Sequence, residues 1–137
     1  MRAVAFSPDG ETIATGCDDR LVRLWDAATA TCRRTLEHHT DRVYGVSFNN
    51  DGTLLASAGD DGTVRLWDVA DPEHAQLRAT LIGLPDGWAA VSPDGRYKLD
   101  GDPGGQFWHV IGTCRFEVGE LDPYLTQVRR LSVDAPF

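Results

Sequence analysis

The sequence has little of what membrane proteins and nucleic-acid-binding proteins need. Its 137 residues contain no apolar run close to the ~18 residues of a membrane helix, and the N-terminus has no apolar signal-peptide core. Basic side chains number 13 against 21 acidic ones, and the net charge of −8 repels phosphate backbones. A nucleic-acid partner and a membrane are therefore not expected, although a local basic patch at Arg129 and Arg130 stays open.

Residues that bind metals or phosphates are also sparse. The three cysteines (Cys17, Cys32 and Cys114) are odd in number and lack metal-ligand spacing, which predicts reduced thiols in a cytoplasmic protein. The four histidines are too scattered for a metal site, and no glycine-rich stretch has the spacing of a phosphate loop. We therefore expect no metal and no cofactor.

What the sequence does contain is an internal repeat. VRLWD occurs at residues 22–26 and again at 64–68, and VAFSPDG at 4–10 returns as VSFNNDG at 46–52, each 42 residues later. A weaker third copy includes AVSPDG at 90–95 and FWHV at 107–110. A period of roughly 40–45 residues is typical of a four-stranded propeller blade.

Each copy is predicted to contain four short strands separated by turns. Pro8 fits the second position of a turn, and Gly10 tolerates a positive φ angle. The predicted strands are residues 2–6, 13–16, 22–26 and 32–36, then 43–48, 54–58, 64–68 and 77–81, and then 87–91, 97–99, 105–110 and 113–116. Helical periodicity is absent apart from a short turn allowed at 122–130, so the predicted class is all-β.

The repeat length, the SPDG turn, the DD turn and LWD together resemble the WD-repeat (WD40) β-propeller family over residues 1–116. The resemblance implies a partial β-propeller of about three four-stranded antiparallel blades with an irregular C-terminal tail. We assign residues 1–40 to blade one, 41–82 to blade two, 83–117 to a degenerate blade three and 118–137 to the tail. The tail either packs on the open face of blade three or is loosely attached.

The family resemblance also implies a structural tetrad. In WD-repeat proteins a histidine before the first strand, a Ser or Thr on the second, an Asp in the next turn and the Trp share hydrogen bonds. The matching residues are His39, Ser57, Asp61 and Trp67 in blade two, Thr15, Asp19 and Trp25 in blade one, and Asp102 and Trp108 in blade three. The histidine of blade one would lie before Met1, and Lys98 stands at the hydroxyl position of blade three.

The same residue types admit a second interpretation, a hydrolase triad of His39, Ser57 and Asp61. The serine lies in mid-strand rather than on a strained elbow, and its position is Thr in one copy and Lys in another. A buried Trp N–H needs an acceptor and a carboxylate orients a histidine, so a structural relay accounts for all four residues. The chain is therefore predicted not to be an enzyme.

The function that the resemblance implies is a non-catalytic scaffold for protein–protein interaction. The narrow top face of such propellers receives peptides or partner proteins, and aromatic and Arg residues are the usual anchors. The residues expected on that face are Asp18, Asp41, Arg42, Tyr44 and Asp60. The acidic members favour a basic peptide.

Closure of the ring is the open question, because closed propellers need about four to eight blades. The chain is the C-terminal piece of a larger propeller, or it associates with itself, or its tail shields the open end. The absent blade-one histidine favours the first explanation. Residues 110–125 resemble the closing segment of bacterial multidomain WD-repeat proteins, in which the propeller often follows a kinase or nucleotide-hydrolysing signalling domain. A truncated propeller without independent function is the further alternative.

Overall fold

Short antiparallel strands form nearly all of the regular structure in the computed structural model, which describes residues 1–100, 108–111, 114–117 and 131–132. The strands are β1 (Ala3–Phe6), β2 (Thr12–Gly16), β3 (Val22–Asp26), β4 (Cys32–Leu36), β5 (Val43–Phe48), β6 (Leu54–Gly59), β7 (Thr63–Asp68), β8 (Gln76–Leu84), β9 (Gly87–Val91), β10 (Tyr97–Asp100), β11 (Trp108–Ile111) and β12 (Cys114–Glu117). In these ranges the one helical segment is a 3-10 turn at Pro72–His74. The all-β prediction is confirmed. The helical turn predicted at 122–130 lies outside the described residues.

The strands β1 to β4 form an antiparallel sheet in sequence order. Ala5 lies opposite Ala14, which in turn lies opposite Leu24. Because residues directly opposite each other share a face, these three side chains point to the same side of the sheet. Ala14 and Leu24 are fully buried, so this face belongs to the core.

The next strands repeat this arrangement 42 residues later. Strands β5, β6 and β7 pair antiparallel, with Leu55 opposite Trp67 and Ser57 opposite Arg65, and β8 follows β7 in the strand order. The pairing of β5 with β6 shifts register between Val43 and Gly45, which leaves Tyr44 without an opposite residue. Such a β-bulge bends the strand and re-aims the side chain of the extra residue.

Turn residues set the ends of the strands as the sequence predicts. Gly10 has a φ angle of 75°, and its N–H donates to the carbonyl of Ser7 at 2.9 Å, which closes the SPDG turn. In the DD turn, Gly62 has a φ angle of 76° and Arg20 stands at the equivalent position of the first repeat with 72°. Only the glycine adopts this left-handed conformation without strain.

The chain divides into two compact units, Met1–Thr80 and Leu81–Phe137, with the boundary inside β8. The core of the first unit joins both repeats: Ala14, Val22 and Leu24 of the first pack in one cluster with Leu55 and Trp67 of the second. The N–H of Val43 also donates to the carbonyl of Cys17 at 3.0 Å, which fixes β5 against the end of β2. The two repeats of this unit are therefore packed face to face.

The second unit has a smaller core of its own. Strand β9 pairs antiparallel with β10, and Tyr97 lies opposite Val91. Tyr97, Ala89 and Leu99 are buried together, and the N–H of Leu131 donates to the carbonyl of Tyr97 at 2.7 Å. The blade boundaries assigned from the sequence stay predictions.

Strand β8 is longer than the sequence pattern predicts, reaching Gln76–Leu84 rather than 77–81. The strand stops directly before Pro85, which has no N–H to donate to a neighbouring strand. The proline therefore gives a physical reason for the observed end of β8.

Candidate functional site

Four side chains of the second repeat form one continuous chain of hydrogen bonds, here called the tetrad. The indole Nε1–H of Trp67 donates to Ser57 Oγ at 2.8 Å, and Ser57 Oγ lies 2.8 Å from Nε2 of His39. Nδ1 of His39 lies 2.8 Å from a carboxylate oxygen of Asp61. Because the indole only donates and a carboxylate only accepts, the serine hydroxyl donates to Nε2 and Nδ1–H donates to Asp61.

Each member of the tetrad comes from a different element. Ser57 lies on β6, Trp67 on β7, Asp61 in the turn between them, and His39 in the loop between β4 and β5. The register of β6 with β7 places Ser57 and Trp67 on the same sheet face, two residues apart along the strands. The tetrad therefore ties the 37–42 loop to the inner strands of the sheet.

Asp61 is the charged anchor of this arrangement. Burial raises its pKa, but hydrogen bonds from the N–H of Thr40, from Thr63 and from His39 outweigh that effect and lower the pKa to about 2. The Thr40 N–H donates at 3.0 Å, and Thr63 donates through its N–H at 3.0 Å and its hydroxyl at 2.7 Å. The carboxylate is therefore ionised and fully occupied as an acceptor.

Gly59 makes room for the histidine, and the sequence patterns did not single it out. A Cβ atom at this position would lie 2.5 Å from Nδ1 of His39 and 2.9 Å from an oxygen of Asp61. The only signal available was the glycine itself, placed two residues before Asp61. The first repeat has Cys17 at the equivalent position.

The His39, Ser57 and Asp61 side chains are linked in the order of a hydrolase triad, but their surroundings do not suit catalysis. Ser57 is only 1% exposed, and its Oγ already accepts the indole N–H of Trp67. A nucleophile needs a substrate carbonyl within reach of its oxygen. This geometry favours the structural relay over the hydrolase.

The first repeat assembles only part of the same arrangement. Trp25 Nε1–H donates to Thr15 Oγ1 at 2.9 Å, which matches the tryptophan–hydroxyl bond of the tetrad. Asp19 instead accepts from Arg23 at 2.8 Å, and that bond lowers the pKa of its carboxyl. The Asp19 side chain is 47% exposed, against 4% for Asp61. In the third copy, Asp102 and the side chain of Trp108 lie outside the described residues.

Exposed charged residues lie where β5 begins, and together with the exposed Tyr44 of that strand we call them the Tyr44 surface. Its members are Arg2, Asp18, Asp41, Arg42, Tyr44 and Asp60. Tyr44 is 56% exposed, and the N–H of Asp60 donates to the carbonyl of Arg42 at 2.8 Å. Asp41 accepts from the N–H of Arg42 at 2.8 Å.

Arg2 belongs to this surface although the sequence patterns did not identify it. Its Nε donates to Asp18 at 2.7 Å, and that bond holds the pKa of the Asp18 carboxyl below its usual range, with a further contribution from the charge of Arg42. The hydrogen bond to Asp18 and, to a smaller extent, the charge of Asp60 raise the pKa of the Arg2 guanidinium. The surface is therefore mixed in sign rather than purely acidic.

Two further classes of site are absent from the part of the chain that the structure describes. No group of three or more His, Cys, Asp or Glu side chains there is arranged to hold a metal ion. These residues also include no helix with the length and apolar character that a membrane span requires.

Comparison with known proteins identifies the repeats. Residues 1–26 and 30–68 match the family model described as WD domain, G-beta repeat (WD40). The chain is similar to the general transcriptional corepressor TUP1 of Saccharomyces cerevisiae, with 41% identity over 46 residues, which is 34% of this chain and 6% of that protein. It is also similar to the probable serine/threonine-protein kinase PkwA of Thermomonospora curvata, with 56% identity over 41 residues, 30% of this chain and 6% of that protein.

Solved structures show the same fold. The structure of U3-55K superposes with a TM-score of 0.55 and 26% identity, covering 74% of this chain and 34% of that one. The crystal structure of RRP9 WD40 repeats superposes with a TM-score of 0.50 and 24% identity, covering 64% of this chain and 32% of that one. The chain thus spans about a third of the solved structures that it matches. Residues 1–26 and 30–68 match the WD40 repeat family model, and the all-β fold is that of WD-repeat propeller neighbours.

Proposed function

We propose that this chain is a non-catalytic protein-interaction module that binds a peptide or protein partner through the Tyr44 surface. The observation that carries the proposal is Tyr44 itself, an aromatic side chain 56% exposed at a β-bulge and two residues after the exposed Arg42. Exposed aromatic and Arg side chains are the usual anchors of protein interfaces. WD40 propellers are typical interaction scaffolds, which supports the proposal.

The tetrad supports this function by holding the 37–42 loop rigid. Asp41 and Arg42 follow directly after His39 and Thr40, both of which are bonded to Asp61. A loop that is ordered before binding loses less conformational entropy when the partner arrives. The tetrad is therefore proposed to have a structural role in presenting the surface.

The partner is proposed to be a basic peptide segment. Asp18, Asp41 and Asp60 lie on the surface, and the chain has a net charge of −8. Opposite charge on the partner accelerates association and fixes its orientation. Arg2 and Arg42 would select an acidic or aromatic group at one position of that segment.

The wider context is proposed from one relative. The 41-residue segment shared with a probable serine/threonine-protein kinase supports placing the chain within a larger bacterial signalling protein. The cytoplasmic location, the status of C-terminal fragment and completion by further blades stay predictions. A truncated chain without independent function and a hydrolase using Ser57 are the alternatives.

Selection of peptides on the intact chain tests the proposal. A displayed peptide library is panned against the protein, and the affinity of the strongest basic peptide is measured for wild type and for Tyr44→Ala. We expect Tyr44→Ala to raise the Kd about tenfold or more, because it removes the aromatic anchor. His74→Ala is the matched control, since His74 is an exposed ring outside the surface. Equal affinity for both variants, or failure to select any peptide, would contradict the proposal.

A further inference from the structure

One face of the first repeat is largely apolar, with Arg23 opposite Thr15 as its charged member, and part of it is open to solvent. Val4 lies opposite Thr15, Phe6 opposite Ile13, and Ile13 opposite Trp25, so all five side chains share one face of the sheet. We call this the knob face. Val4 is 57% and Phe6 64% exposed.

The equivalent face of the second repeat is covered. Its residues, each 42 positions later, are Val46, Phe48, Leu55, Ser57 and Trp67. Leu55 is fully buried and Trp67 is 1% exposed, and Val46 and Phe48 pack on the same cluster. Val4 and Phe6 are thus exposed in the first repeat, whereas their counterparts Val46 and Phe48 are half-buried against the shared cluster.

The packing between the two repeats shows which kind of surface covers such a face. The opposite side of the first repeat presents Ala14, Val22 and Leu24, all fully buried in the cluster that contains Leu55 and Trp67. Gly16 on the same side allows the close approach of Val43, since a Cβ there would lie 2.8 Å from its Cγ1 atom. A small, apolar sheet face is therefore the partner that fits a knob face; we call such a face a socket face.

The second repeat carries a socket face of its own. Gly45 lies opposite Ala58 and Ser47 opposite Ala56, which puts these small side chains on one side of the sheet. With Val64 they line a mostly apolar hollow of about 230 Å³ that is open to solvent. Ser47 is exposed and the other side chains are half-buried. The first unit therefore has one knob face and one socket face that are each without a partner in that unit.

We propose that the knob face of one copy docks on the socket face of a second copy, repeating the packing of the second repeat on the first. The two faces differ, so the contact is head-to-tail and either closes into a ring or continues as an open chain. This inference goes beyond the proposed binding at the Tyr44 surface, because it concerns two other faces and names a second copy of the chain as their occupant. Its test leaves Tyr44 unchanged, so failure of either proposal is distinguishable from failure of the other.

Sedimentation of the full chain and two face variants tests the docking. Phe6→Lys places a charge on the knob face, and Ser47→Arg places one on the socket face; both positions are exposed, so folding should be retained. The mass of wild type is expected to rise above 15.0 kDa with concentration, whereas each variant stays a monomer. An equimolar mixture of the two variants should form a dimer of about twice 15.0 kDa, because each supplies the face that the other lacks.

Controls separate this contact from other association. Gln76→Lys adds the same charge at an exposed strand position outside both faces and should associate like wild type. Ser47→Glu, of opposite charge, should act like Ser47→Arg, and circular dichroism confirms that each variant is folded. A wild type that stays monomeric at high concentration, a folded variant that still self-associates, or a mixture that stays monomeric would each overturn the proposal.

Discussion

Ser57 Oγ is the atom on which the tetrad depends. It accepts the indole N–H of Trp67 and donates to His39, so removing it leaves two buried polar groups without a partner at once. Buried unpaired groups are more costly than the net value of the bonds they formed. The first repeat offers an internal comparison, since the Thr15 hydroxyl accepts from Trp25, which is half-buried.

Replacement of the serine should therefore reduce stability more than the matched change in the first repeat. Ser57→Ala is expected to lower the free energy of unfolding by about 1–3 kcal/mol. Thr15→Ala should cost less, because Trp25 is only half-buried and the Thr15 hydroxyl does not bridge it to a histidine. Urea denaturation of both variants measures the difference. Equal losses would contradict the structural relay, and unchanged stability with loss of an ester-hydrolysing activity would instead support the hydrolase.

The charge of Asp61 predicts an acid-dependent loss of stability. Its pKa in the folded chain is about 2, below the ordinary value of 3.8. A carboxyl with a lowered pKa stabilises the fold above its unfolded value, and this contribution disappears as pH falls from about 4 to about 2. The expected loss is about 2 kcal/mol, measured as unfolding free energy against pH. Asp61→Asn is the control and should lack this part of the pH dependence; the same slope in both proteins would refute the assignment.

At the scale of elements, the approach of β5 to β2 depends on the absence of one side chain. A Cβ at Gly16 would lie 2.8 Å from Cγ1 and 3.1 Å from the carbonyl oxygen of the buried Val43. Gly16→Ala should therefore force the two repeats apart and lower the unfolding free energy by about 1–3 kcal/mol. Gly83→Ala is the matched control, since nothing lies within 4 Å of a Cβ there. Thermal unfolding of the two variants should separate them, and equal midpoints would contradict this view of the repeat interface.

The strands of the first two repeats were largely predictable, because the 42-residue repeat shows each strand pattern in two copies. β3, β4, β5 and β9 have the predicted ends, and β7 differs by one residue. The bulge at Tyr44 was not predictable, because the alternation of VYGVSF reads equally well as a regular strand. Its position depends on how β5 fits beside its neighbour, and that information is not local to the strand.

At the scale of the whole molecule, the first and second repeats have similar sequence patterns but different surroundings. The tetrad residues could be named from the sequence because the motifs around them resemble the WD-repeat family, and three of the four positions recur in the first repeat. The motif does not predict the burial of the aspartate. Asp61 is buried in the second repeat, whereas Asp19 is half-exposed and bonded to Arg23 in the first. That difference goes with the 37–42 loop, whose His39 and Thr40 bond to Asp61, whereas the carboxylate of Asp19 bonds to Arg23. Spacing predicts which residues can meet, and packing decides which of them do.

The missing Cβ at Gly59 has a consequence for how such repeats can be exchanged. The imidazole of His39 occupies space that any larger residue at position 59 would fill, so the loop that enters a repeat and the turn inside it must match. The first repeat has Cys17 in that place, so inserting a histidine-bearing loop ahead of it would bring imidazole against the cysteine Cβ unless Cys17 also became glycine. The segment that can be exchanged between such repeats is therefore not a single four-stranded sheet. It begins in the loop that leaves the preceding sheet, and a recombination point between that loop and β5 would separate two residues that have to change together.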